Sequence, residues 1–150
     1  MSIEHRTWTV ERDYPHPPSR VFAAWADPAT KVRWFDLSDT PDPDYHSDFR
    51  VGGRESFRTP PGSAPAFTYD AHYHDIVDTE RIVMAYEMSI DGRRMSVSLA
   101  GVEFRATDGG THLIFTEQGT YLDGLDAPQS RRTGTTDQLD RLAELLGQQR

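Results

Sequence analysis

The stretch YPHPPSRVFAAWADPATKVRWF, residues 14–35, decides the fold because it sets two short helical periods inside a chain that otherwise alternates as strands do. Val21, Phe22 and Trp25 stand at i, i+1 and i+4, and Val32, Trp34 and Phe35 form a second apolar group, with Asp27 and Pro28 cutting the run between them. Pro15, Pro17 and Pro18 suit a strand exit and the first turn of a helix, so the first helix is expected to begin near Pro18. Asp27 is a good N-cap for the second, with Pro28 at its first position.

Upstream, residues 7–14 place Trp8, Val10 and Tyr14 among polar neighbours with period two, which reads as a first strand. Downstream, residues 36–48 hold five aspartates and two prolines with little periodicity, and read as a long loop, either a lid or a solvated connector. A meander follows. Val51, Gly52 and Gly53 mark a turn or bulge before a strand over 54–59, and Phe67, Tyr69, Ala71 and Tyr73 give the apolar face of the next. Ile82, Met84, Tyr86 and Met88 continue the alternation, Asp91 and Gly92 signal a hairpin, and Met95, Val97 and Leu99 resume it. Leu113 and Phe115 belong to a last strand, apolar on both faces and so expected to be central. From Asp126 the period becomes helical, with Leu139, Leu142, Ala143, Leu145 and Leu146 on one stripe, preceded by the small or polar Gly134, Thr135 and Thr136.

With 150 residues, 36% of them hydrophobic, the chain fits one domain spanning 1–150 with a sizeable core. A net charge of -8 and the lack of any long basic run argue against nucleic acid as a partner. The absence of cysteine excludes disulfides, thiolate nucleophiles and thiolate metal sites. Residues 1–10 have neither a basic nor an apolar leader segment, and no window approaches the roughly 20 apolar residues of a membrane span. A soluble cytoplasmic protein without a cofactor is expected.

The order of strand, two short helices, six or seven strands in a meander and a long C-terminal helix resembles the helix-grip fold of the START-like superfamily, an α+β fold whose curved antiparallel sheet wraps the last helix. Pro17, Pro18, Val21, Phe22, Trp25, Asp27, Pro28 and Trp34 resemble the opening signature of its branch named after the activator of the heat-shock-protein ATPase. Val51, Gly52 and Gly53, the run from Glu80 through Val83, Gly110 with Thr111 and Leu113, and Gly134 ahead of Leu139 and Leu142 resemble later landmarks of that branch. Two departures stand out: Thr135 occupies a position where the branch usually has tryptophan, and Ala71 lies near one where it usually has glycine. The resemblance implies a cavity between sheet and helix, widened at Thr135.

Strand parity turns Phe57, Tyr69, Tyr73, Met84, Tyr86, Met88, Val97, Leu99, Leu113 and Phe115 toward that helix, a mixture of rings, flexible thioethers and tyrosine hydroxyls suited to a small hydrophobic or aromatic guest. The same parity brings Glu55, Asp75, Glu103 and Glu117 inward, and a carboxylate in an apolar cavity gains a raised pKa suited to proton transfer, with Glu117 the best placed beside Phe115. His72 and His74 share the opposite face and point to solvent, so no metal site is expected there, and Ser96 and Ser98 read as plain strand residues. Three functions fit: a carrier or sensor of a small hydrophobic ligand; a cyclase, dehydratase or hydrolase using Glu117; or a chaperone-associated or homodimeric module presenting the aromatic residues Trp34 and Phe35.

Overall fold

The computed structural model describes residues 1–148. Its elements run β1 (Ile3–Tyr14), α1 (Pro18–Ala26), α2 (Pro28–Phe35), β2 (Asp44–Ser47), β3 (Arg54–Arg58), β4 (Phe67–Val77), β5 (Arg81–Ile90), β6 (Arg93–Thr107), β7 (Gly110–Leu122) and α3 (Pro128–Gln148). The strands form one antiparallel sheet in the order β1-β7-β6-β5-β4-β3-β2, so the chain meanders from β2 to β7 and β1 closes the far edge against β7. This is the α+β helix-grip arrangement: α3 lies on the inner face, where Leu139, Leu142 and Leu146 join strand residues such as Ile82, Val102 and Leu113 in one core.

Asp27 caps α2 through its backbone position, but its carboxylate accepts from the Thr30 hydroxyl (2.6 Å) rather than from a backbone N–H. Trp34 is fully buried and donates from Nε1 to the Ala24 carbonyl (3.0 Å), with its ring 4.7 Å from that of Trp25, so the two helices pack as one wedge. The expectation of an exposed aromatic pair at Trp34 and Phe35 is therefore corrected, since Phe35 packs on Tyr45, Phe57 and Tyr69. Residues 36–48 are not one long loop either, because Asp44–Ser47 pairs with β3 as a short edge strand. Gly53 follows from a close approach: a Cβ there would lie 2.0 Å from the Asp48 carbonyl oxygen.

Two bulges decide which side chains reach the interior. Met88 pairs with Ser96 but Ser89 with Arg94, leaving Met95 as the extra residue, and parity on β6 flips beyond it. Ser96, Ser98, Ala100, Val102 and Phe104 consequently point inward, while Val97 and Leu99 are 45% and 43% exposed on the outer face and Glu103 lies outside, paired with Arg105. Their expected inward orientation is overturned. A second bulge between Tyr73 and Asp75 turns Asp75 to the outer face, and there it ion-pairs with Arg81 at 2.6 Å. Of the four carboxylates expected inside, Glu55 and Glu117 are buried.

Candidate functional site

Between the sheet and the N-terminal half of α3 lies a cavity of about 460 Å³. Phe57, Tyr69, Met84, Tyr86 and Phe115 line it from the sheet, Trp25, Lys31 and Phe35 from the helical wedge, and Arg131, Gly134 and Thr135 from α3. Thr135 occupies the stripe that Leu139 and Leu142 continue, and a Cβ at Gly134 would meet no atom within 4 Å. The small residues of this helical half thus border open space. Tyr73 is buried outside the cavity wall, its hydroxyl 2.9 Å from Ser47 Oγ, and Leu113 packs in the core below. Val97 instead borders a polar cleft on the outer face with Arg54, Asp70 and His72.

Two buried polar clusters bound the cavity. In the first, Glu117 Oε1 accepts from the Tyr86 hydroxyl, and Oε2 accepts from Tyr121 (2.8 Å) and Ser98 (3.2 Å). Arg131 descends from the first turns of α3, donates from Nη1 to the Tyr86 hydroxyl (3.1 Å) and from Nη2 to Ser96 Oγ (2.8 Å), and ion-pairs with Asp126 (2.9 Å). Burial pushes the Glu117 carboxyl above the usual carboxylate range, against the opposing pull of Tyr86, Arg131, Tyr121 and Ser98. Burial disfavours the Arg131 cation as well, yet Tyr86 and Glu117 hold its pKa above the ordinary arginine value. Gly119 makes this packing possible, because a Cβ there would stand 2.6 Å from the Tyr121 ring that folds back toward Glu117. Glu117 itself is not on the cavity wall; Tyr86, which donates to it, is.

The second cluster centres on Lys31, 2% exposed, whose Nζ lies 2.5 Å from Oε2 of Glu55, itself 1% exposed. Tyr45 donates to the same oxygen and Tyr69 to Oε1 (3.0 Å). The ammonium is boxed by rings, 5.1 Å from the centroid of Trp25, 5.4 Å from Trp34 and 4.7 Å from Phe35. The Tyr69 and Tyr86 rings, 5.0 Å apart, join the two clusters across the cavity floor.

Sequence reasoning missed both cations. The signal was present in the spacing: Lys31 stands at i−3 and i−4 from Trp34 and Phe35, and Arg131 at i−4 and i−8 from Thr135 and Leu139, so each lies on an inward stripe. Ser96 and Ser98 were hidden by the β6 bulge. His72 and His74 stand exposed on the outer face, their rings 6.4 Å apart.

Comparison with proteins of known structure places the whole chain. A protein from Rhizobium leguminosarum is 42% identical, with 99% of this chain and 98% of that one covered and a TM-score of 0.93. The Mll3558 protein from Rhizobium loti is 43% identical over 97% and 99% of the two chains, with a TM-score of 0.89. Protein CV1439 from Chromobacterium violaceum, 23% identical over 93% and 96% with a TM-score of 0.72, shares the fold. A search of curated proteins found no match. The description "Activator of Hsp90 ATPase homolog 1-like protein" matches residues 15–147, from the proline run before α1 to the last turn of α3, and the chain belongs to that family.

Proposed function

We propose that the chain binds a small, mostly apolar, aromatic-type molecule in the cavity between the sheet and α3, as a carrier or sensor. The observation that carries this reading is open space of about 460 Å³ beside Tyr69, Tyr86 and Thr135, walled by rings and methionines with a few directed polar groups. A chain that needed those side chains only for packing would close them on one another, since interiors are filled to crystal-like density.

An enzymatic reading, with Glu117 as acid-base, has support in the raised pKa of that carboxyl, but Glu117 is not among the residues that line the cavity, whereas Tyr86, which donates to it, is. Carrier or sensor is therefore the favoured reading.

N-phenyl-1-naphthylamine, a neutral dye that brightens in apolar surroundings, tests the proposal. Saturable binding to the wild type, lost in a folded Thr135→Trp variant whose new indole occupies the space, is the expected result. At a hundred times its dissociation constant the dye should add about 2.7 kcal/mol of stability. Equal binding to wild type and Thr135→Trp overturns the assignment of the site.

A further inference from the structure

We infer that Asp126 is a specificity-determining residue of this cavity: by pairing with Arg131 at the wall it turns away guests that bear a carboxylate and leaves neutral aromatic molecules as the ligand class. The inference rests on the binding reading above. Among the described residues, four charged side chains line the cavity: Lys31, Asp36, Asp126 and Arg131. Each is answered from within the protein. Lys31 is enclosed by Glu55 and the rings of Trp25, Trp34 and Phe35. Asp36 accepts from the Ser38 backbone N–H at 3.0 Å and from the Ser38 hydroxyl. Arg131 and Asp126 answer each other at 2.9 Å. An incoming anion would therefore lose its hydration without finding an uncommitted cation.

Asp126 controls this balance. It stands between β7 and α3, where its Oδ1 accepts from the Ala127 N–H (2.9 Å) and its Oδ2 meets Arg131 Nη2. Its side chain is 16% exposed, against 9% for Arg131 and 2% for Lys31, so it is the most open of these paired groups. The other partners of the guanidinium are neutral: the Tyr86 hydroxyl, Ser96 Oγ, and the rings of Tyr86 and Tyr121 at 5.6 and 5.5 Å. These contacts would hold Arg131 in place without Asp126, and its charge would then be felt across the apolar cavity. Glu117 reaches Arg131 only through the shared Tyr86 hydroxyl, and burial weakens it as an anion.

A carboxylate just ahead of a helix also steadies that helix through its dipole. Such a role changes stability but does not distinguish guests by charge.

Displacement of N-phenyl-1-naphthylamine by 2-acetylnaphthalene and by 2-naphthoate, planar isosteres that differ in charge, tests the inference in the wild type, Asp126→Asn and Asp126→Glu. Desolvation weakens naphthoate in every protein, so the diagnostic quantity is the change in the ketone-to-naphthoate affinity ratio between them. The wild type should favour the ketone by about tenfold or more. Asp126→Asn should lower that ratio about tenfold by tightening naphthoate, with ketone affinity held within about twofold. Asp126→Glu, which keeps the charge, should retain the wild-type ratio. Asp126→Ser is a second uncharged variant expected to match Asp126→Asn. A ratio unchanged in both uncharged variants, or naphthoate binding tighter than the ketone in the wild type, overturns the inference and leaves cavity binding intact. If neither the dye nor the ketone binds the wild type, the cavity reading and this inference fall together.

Discussion

The Lys31–Glu55 pair offers the sharpest energetic prediction. Both groups are almost wholly buried and joined at 2.5 Å, so removing one strands the other in a medium that solvates charge poorly. Lys31→Met leaves Glu55 with neutral partners such as the hydroxyls of Tyr45 and Tyr69, and should cost about 3–5 kcal/mol, the range for breaking a buried pair from one side. Glu55→Gln is expected to cost less, about 2–3 kcal/mol, because the amide oxygen still accepts a hydrogen bond and the rings of Trp25, Trp34 and Phe35 still face the ammonium. With both charges gone there is nothing left to strand. The double variant should therefore be more stable than the sum of the single losses implies, by about 2 kcal/mol of coupling. Urea unfolding followed by far-ultraviolet circular dichroism, with unchanged denaturant slopes, measures all four corners of this cycle. Additivity to within about 0.5 kcal/mol would refute the reasoning, because independent sites behave that way.

Three further outcomes follow from the site. Glu117 has a folded pKa above its unfolded value, so its contribution to stability is fully present below the ordinary carboxylate pKa of about 4.3 and is lost as pH rises through the folded pKa. Glu117→Gln, which cannot ionise, should thus gain urea stability relative to wild type as pH rises from that value toward neutrality, and a difference that stays flat or narrows contradicts the shift. Gly134→Ala points its methyl into open space and raises helix propensity, and should stabilise by up to about 1 kcal/mol in thermal unfolding. Gly119→Ala drives a methyl against the Tyr121 ring and separates that hydroxyl from Glu117 and Trp8, with an expected loss of about 1–3 kcal/mol and a changed Trp8 environment in fluorescence.

Much of the fold was legible because it depends on local chemistry. Prolines at 15, 17, 18 and 28 and the Val21, Phe22, Trp25 spacing place two helices between strands, and α1 does begin at Pro18 and α2 at Pro28. Turn pairs such as Asp91 and Gly92, at φ of 49° and 78°, mark their hairpin in the sequence because few residues tolerate that backbone. The misplaced side chains share one physical origin. Period two holds along a strand until an extra residue enters, and nothing in RRMSVSLAGVEF announces that Met95 is that residue. Alternation read straight through turns Val97, Leu99 and Glu103 inward and hides Ser96 and Ser98. The serines are tolerated inside because Arg131 and Glu117 meet them, a pairing across long sequence separation that no window of the sequence contains. Lys31 and Arg131 were overlooked for a related reason: a charge on an apolar stripe looks like a solvated residue until its buried partner is known.

The central claim is that the space beneath α3 receives a guest, and the methionines test it most directly. The chain has four: Met84, Met88 and Met95 line the cavity, and Met1 is fully exposed away from it. Proton–carbon spectra of protein labelled at the methionine methyl groups, recorded during titration with 2-acetylnaphthalene, should show the resonances of Met84, Met88 and Met95 moving saturably with one shared dissociation constant while that of Met1 stays fixed. Cavity resonances that do not move, or that move no more than Met1, would contradict the account.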